Sequence, residues 1–267
     1  TNMGKVYKAK GYEIPEYGRA AKGIPVINLL GIDSNEKIQT IIAVNGGPES
    51  GRYLFFTTRL GIVKRTSVDA FSNIRSNGLI AIGLKEGDEL VSVLETAGDS
   101  TIIIGTHSGY SVTFKEEVVR DMGRTAAGVR GIRLRDEDYV VGVATLSDDK
   151  EVLVITENGY GKRTSGAEYP IKGRGGKGIK TANITAKNGP LAGLTTVDGT
   201  EDIMVITDKG VIIRFNVEGV SQTGRATLGV RLMRMEDDAK VVTMAVIEPE
   251  EAEEQETEAI ETPEQDA

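Results

Sequence analysis

The segment VLVITENGYGKR, from Val152 to Arg163, carries an apolar run, a glycine and a short run that ends in basic residues. This pattern predicts a β-hairpin, because glycine adopts the positive φ of a tight turn at little cost. The segment IMVITDKGVIIR, from Ile203 to Arg214, repeats the pattern one unit later. The same hairpin therefore recurs along the chain.

Three positions of this pattern stay in register through five units. The turn glycines are Gly4, Gly61, Gly109, Gly159 and Gly210. An arginine follows each of them after 14 or 15 residues, and these are Arg19, Arg75, Arg124, Arg174 and Arg225. A second glycine follows each arginine, and these are Gly23, Gly78, Gly128, Gly178 and Gly229. Stretches such as GVRGIRLR (Gly128 to Arg135), an acidic turn and a last apolar run complete four strands per unit. A period of about fifty residues with four strands predicts a propeller-type all-β array.

The repeats predict one β-body over residues 1–247 and an acidic tail over residues 248–267. The units cover approximately 1–44, 52–96, 100–145, 150–197 and 200–247. The first unit starts at its turn and lacks its opening strand. We expect either that the chain is a fragment and a sixth unit, truncated here, lies upstream, or that the last strand, VVTMAVIE, closes the array. A flat parallel solenoid is the structural alternative, although its repeats are usually shorter.

The net charge of −8 conceals a slightly basic body. Residues 248–267 contain ten acidic and no basic side chains, which leaves 30 acidic against 32 basic residues elsewhere. So polar and acidic a tail is typical of a disordered segment. It either solubilises the chain or competes with a polyanion for the basic body, and the sequence leaves both roles open.

Composition excludes several classes of site. The chain has no cysteine and one histidine, His107, so we expect no disulfide, thiolate or His-rich metal site and a cytoplasmic location. The apolar runs are too short to span a membrane, and no signal peptide opens the chain. We expect His107 to be an exposed turn residue. The carboxylate pairs 116–117 and 237–238 lack a partner base or metal-ligand spacing, and we find no catalytic constellation.

The hexapeptide GRGGKG, residues 173–178, matches the phosphate-binding pattern G-x-G-x-x-G. A dinucleotide site requires a strand directly before it and a helix directly after it, whereas here YPIK precedes it and the alternating IKTANIT follows. The hexapeptide also belongs to the repeated series RAAKG, RSNG, RTAAG, RGGKG and RATLG. A loop that occurs five times favours contact with a long polyanion over a cofactor site, so a nucleotide-dependent enzyme is the disfavoured reading.

Basic side chains recur in register with these loops. If the units surround an axis, equivalent positions form a cationic belt that can hold and bend duplex DNA through its phosphates alone. The predicted DNA-binding residues are Arg19, Lys22, Lys64, Arg65, Arg75, Arg124, Arg130, Arg133, Lys162, Arg163, Lys172, Arg174, Lys177, Lys180, Arg214, Arg225 and Arg231. In the alternative interpretation the loop arginines pair with the acidic turn of a neighbouring unit, and the chain is a propeller-type protein-interaction scaffold.

The segments KGRGGKG (172–178), ENGYGKRT (157–164) and RTAAGVRGIRL (124–134) resemble the C-terminal domain of the DNA gyrase A protein. The resemblance extends over all five units. Residues 174–178 match the last five positions of the gyrase box, Gln-Arg-Arg-Gly-Gly-Lys/Arg-Gly, while Lys172 and Gly173 replace its Gln and first Arg. This copy is therefore a degenerate relative of the box, which we expect upstream in a first unit that this sequence lacks.

The resemblance implies a six-bladed β-pinwheel, a propeller variant with swapped strands, that wraps duplex DNA around a basic rim. It further implies partnership with the gyrase A N-terminal domain and the gyrase B protein in an A2B2 enzyme. ATP and Mg would act on those other domains or proteins, no cofactor is expected in this chain, and the enzyme would be associated with the nucleoid. The corresponding C-terminal domain of topoisomerase IV is the related alternative.

Overall fold

The computed structural model describes residues 1–18, 21–43, 51–235 and 238–249. Short strands dominate these ranges. In chain order they are β1 Lys5–Val6, β2 Tyr53–Thr58, β3 Ile62–Ser67, β4 Leu79–Ile80, β5 Leu90–Thr96, β6 Thr101–Thr106, β7 Tyr110–Lys115, β8 Val129–Arg130, β9 Val140–Leu146, β10 Glu151–Thr156, β11 Tyr160–Ser165, β12 Ile179–Lys180, β13 Leu191–Val197, β14 Asp202–Thr207, β15 Ile212–Asn216, β16 Val230–Arg231 and β17 Val241–Ile247.

In the part of the chain that the structure describes, helical structure is confined to single turns. The α-helix α1 covers Ile27–Leu30. The 3-10 helices cover Gly11–Glu13, Val68–Phe71, Glu116–Val118, Gly166–Glu168 and Val217–Gly219. Within the described ranges, no helix is long and apolar enough to cross a membrane.

The units exchange strands. The second, third and fourth units each supply three strands to one antiparallel sheet, and the fourth strand comes from the following unit. The three sheets have the orders β5-β2-β3-β8, β9-β6-β7-β12 and β13-β10-β11-β16. The pairing of β4 with β1 repeats this exchange between the first two units, and β17-β14-β15 forms the fifth sheet. Sheets of this kind around a common axis form a propeller-like, all-β fold, so the predicted fold class is confirmed.

The turn glycines of the first four units lie where consecutive units touch, whereas a Cβ on Gly210 of the fifth would meet no described atom within 4 Å. A Cβ built on Gly61, at the β2–β3 turn, would lie 2.8 Å from a side-chain carbon of Ile132 in the next unit. The backbone N–H of Gly131 donates to the carbonyl of the same Gly61 at 2.9 Å. Equivalent bonds join Ala81 to Gly4 and Thr181 to Gly109. The close approach leaves no room for a side chain, which explains why the spacing of these glycines is maintained.

The hydrophobic core is divided among the interfaces between sheets. Strand β6 reads TIIIGT and is buried throughout, because it faces a neighbouring sheet on each side. Ile102 and Ile104 pack with Phe55 of the second unit, whereas Ile103 packs with Val152 of the fourth. Full burial of each such side chain contributes about 1.5–3 kcal/mol. The sheets are therefore held face to face by side chains from every central strand.

Two expectations are corrected by the strand pairing. The stretch GVRGIRLR forms a strand of two residues only, Val129–Arg130, because it reaches the outer edge of the preceding sheet and then turns away. The segment VVTMAVIE does not close the first unit, since β17 pairs with β14 of its own unit. The acidic tail beyond residue 249 lies outside the described residues.

Candidate nucleic-acid interface

The exchanged strands place cations on the outer edges of successive sheets. Each of these strands has two residues. The second residue is Arg130 in the third unit, Lys180 in the fourth and Arg231 in the fifth. In the second unit the equivalent residue is Ile80. All four side chains are exposed. Because the strand is outermost in its sheet, the three cations occupy equivalent positions on the rim of three adjacent sheets.

The loop arginines lie directly beside these outer strands. The Arg174 guanidinium donates to the carbonyl oxygens of Arg130 and Val118, each at 3.2 Å. In the same way Arg225 donates to the carbonyl of Lys180 at 3.3 Å. Each contact brings a loop cation of one unit next to a strand cation of the unit before it. Two of the five N–H donors of Arg174 are used in these bonds, and the side chain is exposed.

The backbone of the GRGGKG loop is anchored to the third unit. Gly175 donates to the carbonyl of Gly131 at 2.5 Å, and Gly176 accepts from the backbone N–H of Arg133 at 2.8 Å. The Arg135 guanidinium lies 3.2 Å from the centre of the Tyr110 ring and donates to the carbonyl of Lys177 at 2.8 Å. Anchored main chain with outward side chains suits phosphate contact. The exposed cations of this region are Lys172, Arg174, Lys177, Lys180 and Arg133.

Lys64 and Lys162, two of the predicted DNA-binding residues, are buried. Their relative exposures are 0% and 1%. The Lys64 ammonium donates to carbonyl oxygens of Ala81, Gly123 and Arg124. Burial lowers the pKa of both lysines to about 8, and nearby carboxylates oppose that shift. The two ammonium groups therefore bind loop carbonyls inside the protein instead of phosphates outside it.

The arginines four residues after the turn glycines make contacts within their own units, and Arg163 also donates to the carbonyls of Val220 and Glu218 in the next unit. Arg163 pairs with Glu151 at 2.6 Å, and Arg214 pairs with Asp202 at 2.7 Å, with both arginines at most 30% exposed. Arg65 stacks over Tyr53 at 4.5 Å and donates to the carbonyl of Gly98. These contacts tie the two strands of each hairpin together, which is a structural use of three residues predicted to bind DNA.

The remaining predicted cations are less uniform. Arg75 is exposed and lines a groove between the loops of the second and third units together with the half-buried Arg124. Lys22 is exposed, and Arg19 lies outside the described residues. Arg225 lies 3.9 Å from the Glu168 carboxylate. That carboxylate belongs to a 3-10 helix of the preceding unit, so this contact differs from the expected pairing with an acidic turn.

The family model for the DNA gyrase C-terminal domain, a β-propeller, matches residues 1–45, 52–97, 100–147, 150–198 and 201–248. The chain belongs to this family. The five matched segments coincide closely with the five repeats of the sequence, and the resemblance predicted from residues 124–178 is confirmed.

Curated relatives of this gyrase-family chain are DNA gyrase A proteins. The one from Streptococcus pyogenes is 63% identical over 94% of the chain, and the one from Streptococcus pneumoniae is 59% identical over 97%. The chain spans about 30% of the length of these relatives. Among solved structures, the C-terminal domain of DNA topoisomerase IV matches with a TM-score of 0.85 and 28% identity, covering 92% of this chain and 77% of that one. The DNA gyrase A C-terminal domain matches in fold with a TM-score of 0.79 and 24% identity, covering 92% and 80%.

Away from the rim, this gyrase-family fold carries a polar chain across its hairpin turns. The His107 ring stacks on Tyr139 at 4.4 Å, and its Nε2 lies 3.0 Å from a carboxylate oxygen of Glu157, which also binds Lys240 at 2.8 Å. Burial opposes ionisation of Glu157, but pairing with Lys240 and His107 outweighs it and lowers the pKa of this carboxyl. His107 does lie in a turn, as predicted, but it is half-buried and paired. No group of three potential metal ligands occurs within the described ranges.

Proposed function

We propose that this gyrase-family domain binds duplex DNA along its outer edge, without reading base sequence, and wraps it as part of a type IIA topoisomerase. One observation carries the proposal. Arg130, Lys180 and Arg231 recur at one exposed position of successive outer strands, and Arg174 and Arg225 lie beside the first two of them. Cations repeated along a curved edge suit a helical polyanion that is bent around it.

The proposed enzyme is DNA gyrase, which introduces negative supercoils in an ATP-dependent reaction. In this proposal the domain works with the gyrase A N-terminal domain and the gyrase B protein in an A2B2 assembly in the cytoplasm, at the nucleoid. The name shared by the streptococcal relatives supports this choice. Topoisomerase IV is the second candidate, because the C-terminal domain of that enzyme has the TM-score of 0.85.

Binding of duplex DNA at several salt concentrations tests the electrostatic mechanism. Each neutralised phosphate lowers the logarithm of the binding constant by about 0.9 per logarithmic unit of salt, so about six contacts give a slope near −5. Arg174→Ala with Lys177→Ala should reduce that slope by about 2 and leave the melting temperature unchanged. The matched control removes two exposed lysines from the hairpin-turn end, Lys187→Ala with Lys209→Ala. Equal salt slopes for the two double variants would contradict the proposed interface.

Wrapping is tested separately from binding. The domain is first bound to a circular DNA. A nicked circle is then ligated, or a closed circle is relaxed by a type I topoisomerase, and the protein is removed. Wrapping leaves a changed linking number in the DNA, whereas binding without bending leaves the linking number of free DNA. A chain that acts only as a protein-interaction scaffold would show no salt-dependent DNA affinity at all.

A further inference from the structure

Two buried lysines connect successive units beneath the arginine loops. Lys64 in β3 and Lys162 in β11 each stand three residues after a turn glycine. The Lys162 ammonium donates to the carbonyls of Gly224 at 2.7 Å and Arg225 at 2.5 Å and to the Thr227 hydroxyl at 3.2 Å. All three acceptors belong to the loop of the next unit. The three N–H donors of one ammonium are thereby matched by three oxygens.

The same contact occurs two units earlier. The Lys64 ammonium donates to the carbonyls of Arg124 at 2.6 Å and Gly123 at 3.2 Å and, within its own unit, to the carbonyl of Ala81. In both places the ammonium binds the carbonyl of the loop arginine and that of the residue before it. The lysine thus fixes the main chain at the loop arginine itself, Arg124 or Arg225.

The loop of the fourth unit lacks this support. The residue that corresponds to Lys64 and Lys162 in the third unit is Val112, which is buried in the hydrophobic core. That loop is GRGGKG, and Gly175 bonds to the backbone of the third unit instead. The loops of the third and fifth units are therefore held by a buried ammonium, whereas the loop between them is held by backbone bonds and by the Arg135 and Arg174 guanidinium groups.

We propose that Lys64 and Lys162 are positioning residues for DNA binding, which orient the loop arginines Arg124 and Arg225 and make the geometry of those two loops depend on protonation of the lysines. The proposal rests on the proposed function. A protonated ammonium supplies three donors to three oxygens, whereas a neutral amine supplies two and must release one of them. The loop of the fourth unit has no such dependence.

Burial places this change near pH 8, and charged groups around each lysine modify it. Lys64 faces the Asp121 carboxylate, the Arg124 guanidinium and, at 5.0 Å, the ring of Phe56. Lys162 faces the carboxylate of Glu168 and the guanidinium of Arg225. Burial outweighs the carboxylates and lowers the pKa of each lysine to about 8. An approaching phosphate adds negative charge, which favours the protonated lysine and therefore the held loop.

The first test needs no DNA and no variant. Backbone amide signals of residues 224–229 and 123–128 are followed by NMR between pH 6.5 and 9.5, with residues 173–178 as the internal control. We expect the first two groups to shift with midpoints near pH 8 and the control group to stay flat through that range. Lys162→Met should abolish the shift at residues 224–229 and leave the one at 123–128. Flat profiles in all three loops, or the same midpoint in the control loop, would overturn the proposal.

The second test measures DNA affinity at pH 7. Lys64→Met and Lys162→Met should each weaken binding by about 3- to 10-fold, the loss expected when one charged contact is misplaced. Lys209→Met, an exposed lysine in the β14–β15 turn, removes the same formal charge and should change affinity less than twofold. If Lys64→Met and Lys162→Met bind DNA as tightly as Lys209→Met, and melt at the temperature of the unaltered chain, the proposal is overturned. Failure of the unaltered chain to bind DNA contradicts the proposed function itself. The NMR measurement of the loops against pH does not depend on that result.

Discussion

Alanine in place of Gly178 should weaken the joint between the third and fourth units. Gly178 has a φ of +73°, and a Cβ built on it would lie 2.6 Å from the carbonyl oxygen of Ser111 on β7. A left-handed conformation costs a non-glycine residue roughly 1–2 kcal/mol, and overpacking typically costs about 1–3 kcal/mol more. We therefore expect Gly178→Ala to lower the free energy of unfolding by about 2–5 kcal/mol.

Thermal unfolding followed by circular dichroism measures this loss. In a domain of this size 1 kcal/mol shifts the melting temperature by about 2–4 °C, so Gly178→Ala should melt roughly 4–20 °C lower. Gly176 provides the matched control in the same loop, because its added Cβ would meet no atom closer than 4.0 Å and its φ is not positive. Gly176→Ala should melt close to the unaltered chain. If both variants melt at the same temperature, the close approach at Gly178 does not hold the exchanged strand.

Two further perturbations separate structural from electrostatic roles. Arg163→Met leaves the half-buried Glu151 carboxylate without its 2.6 Å ion pair, so the free energy of unfolding in urea should fall by about 1–3 kcal/mol while DNA affinity stays within about twofold. Weaker DNA binding with unchanged stability would instead assign Arg163 to the interface. Deletion of residues 248–267 should tighten DNA binding at low salt, because ten carboxylates are removed that repel phosphate. Unchanged or weaker binding after the deletion would reject competition by the tail.

The sequence predicted the fold well because glycine is required at positions where the backbone of one unit lies close to another. Gly61 and its equivalents Gly4, Gly109 and Gly159 lie where one unit touches the next, so a count of residues finds the units. The exchange of strands carries no such signal. Val129–Arg130 is only two residues long and has no periodicity of its own, and the resemblance alone suggested that strands are swapped.

The cations were predicted less well, because residue type does not reveal the direction of a side chain. In β3 the sequence IVKRTS is buried on both faces, so alternation does not show that Lys64 points inward. For the arginines, the register of the hairpin could have shown which side chains pair with an acid of the same unit. Arg163 follows Glu151 by twelve residues and Arg214 follows Asp202 by the same number, which places the two members of each pair diagonally across the hairpin on one face of its sheet. A search for acids at that spacing would have separated these arginines from the rim cations.

The strand exchange also sets an order of events during synthesis. The outer edge of β3 is completed by Arg130, which pairs with Ile62 and is made about seventy residues later. At elongation rates of about 5–20 residues per second, that edge stays open for roughly 3–14 s. An open strand edge is a template for pairing with other chains. The edges of β3, β7 and β11 are therefore covered only when the next unit leaves the ribosome, so a pause in translation within one unit exposes the unit before it to misassembly.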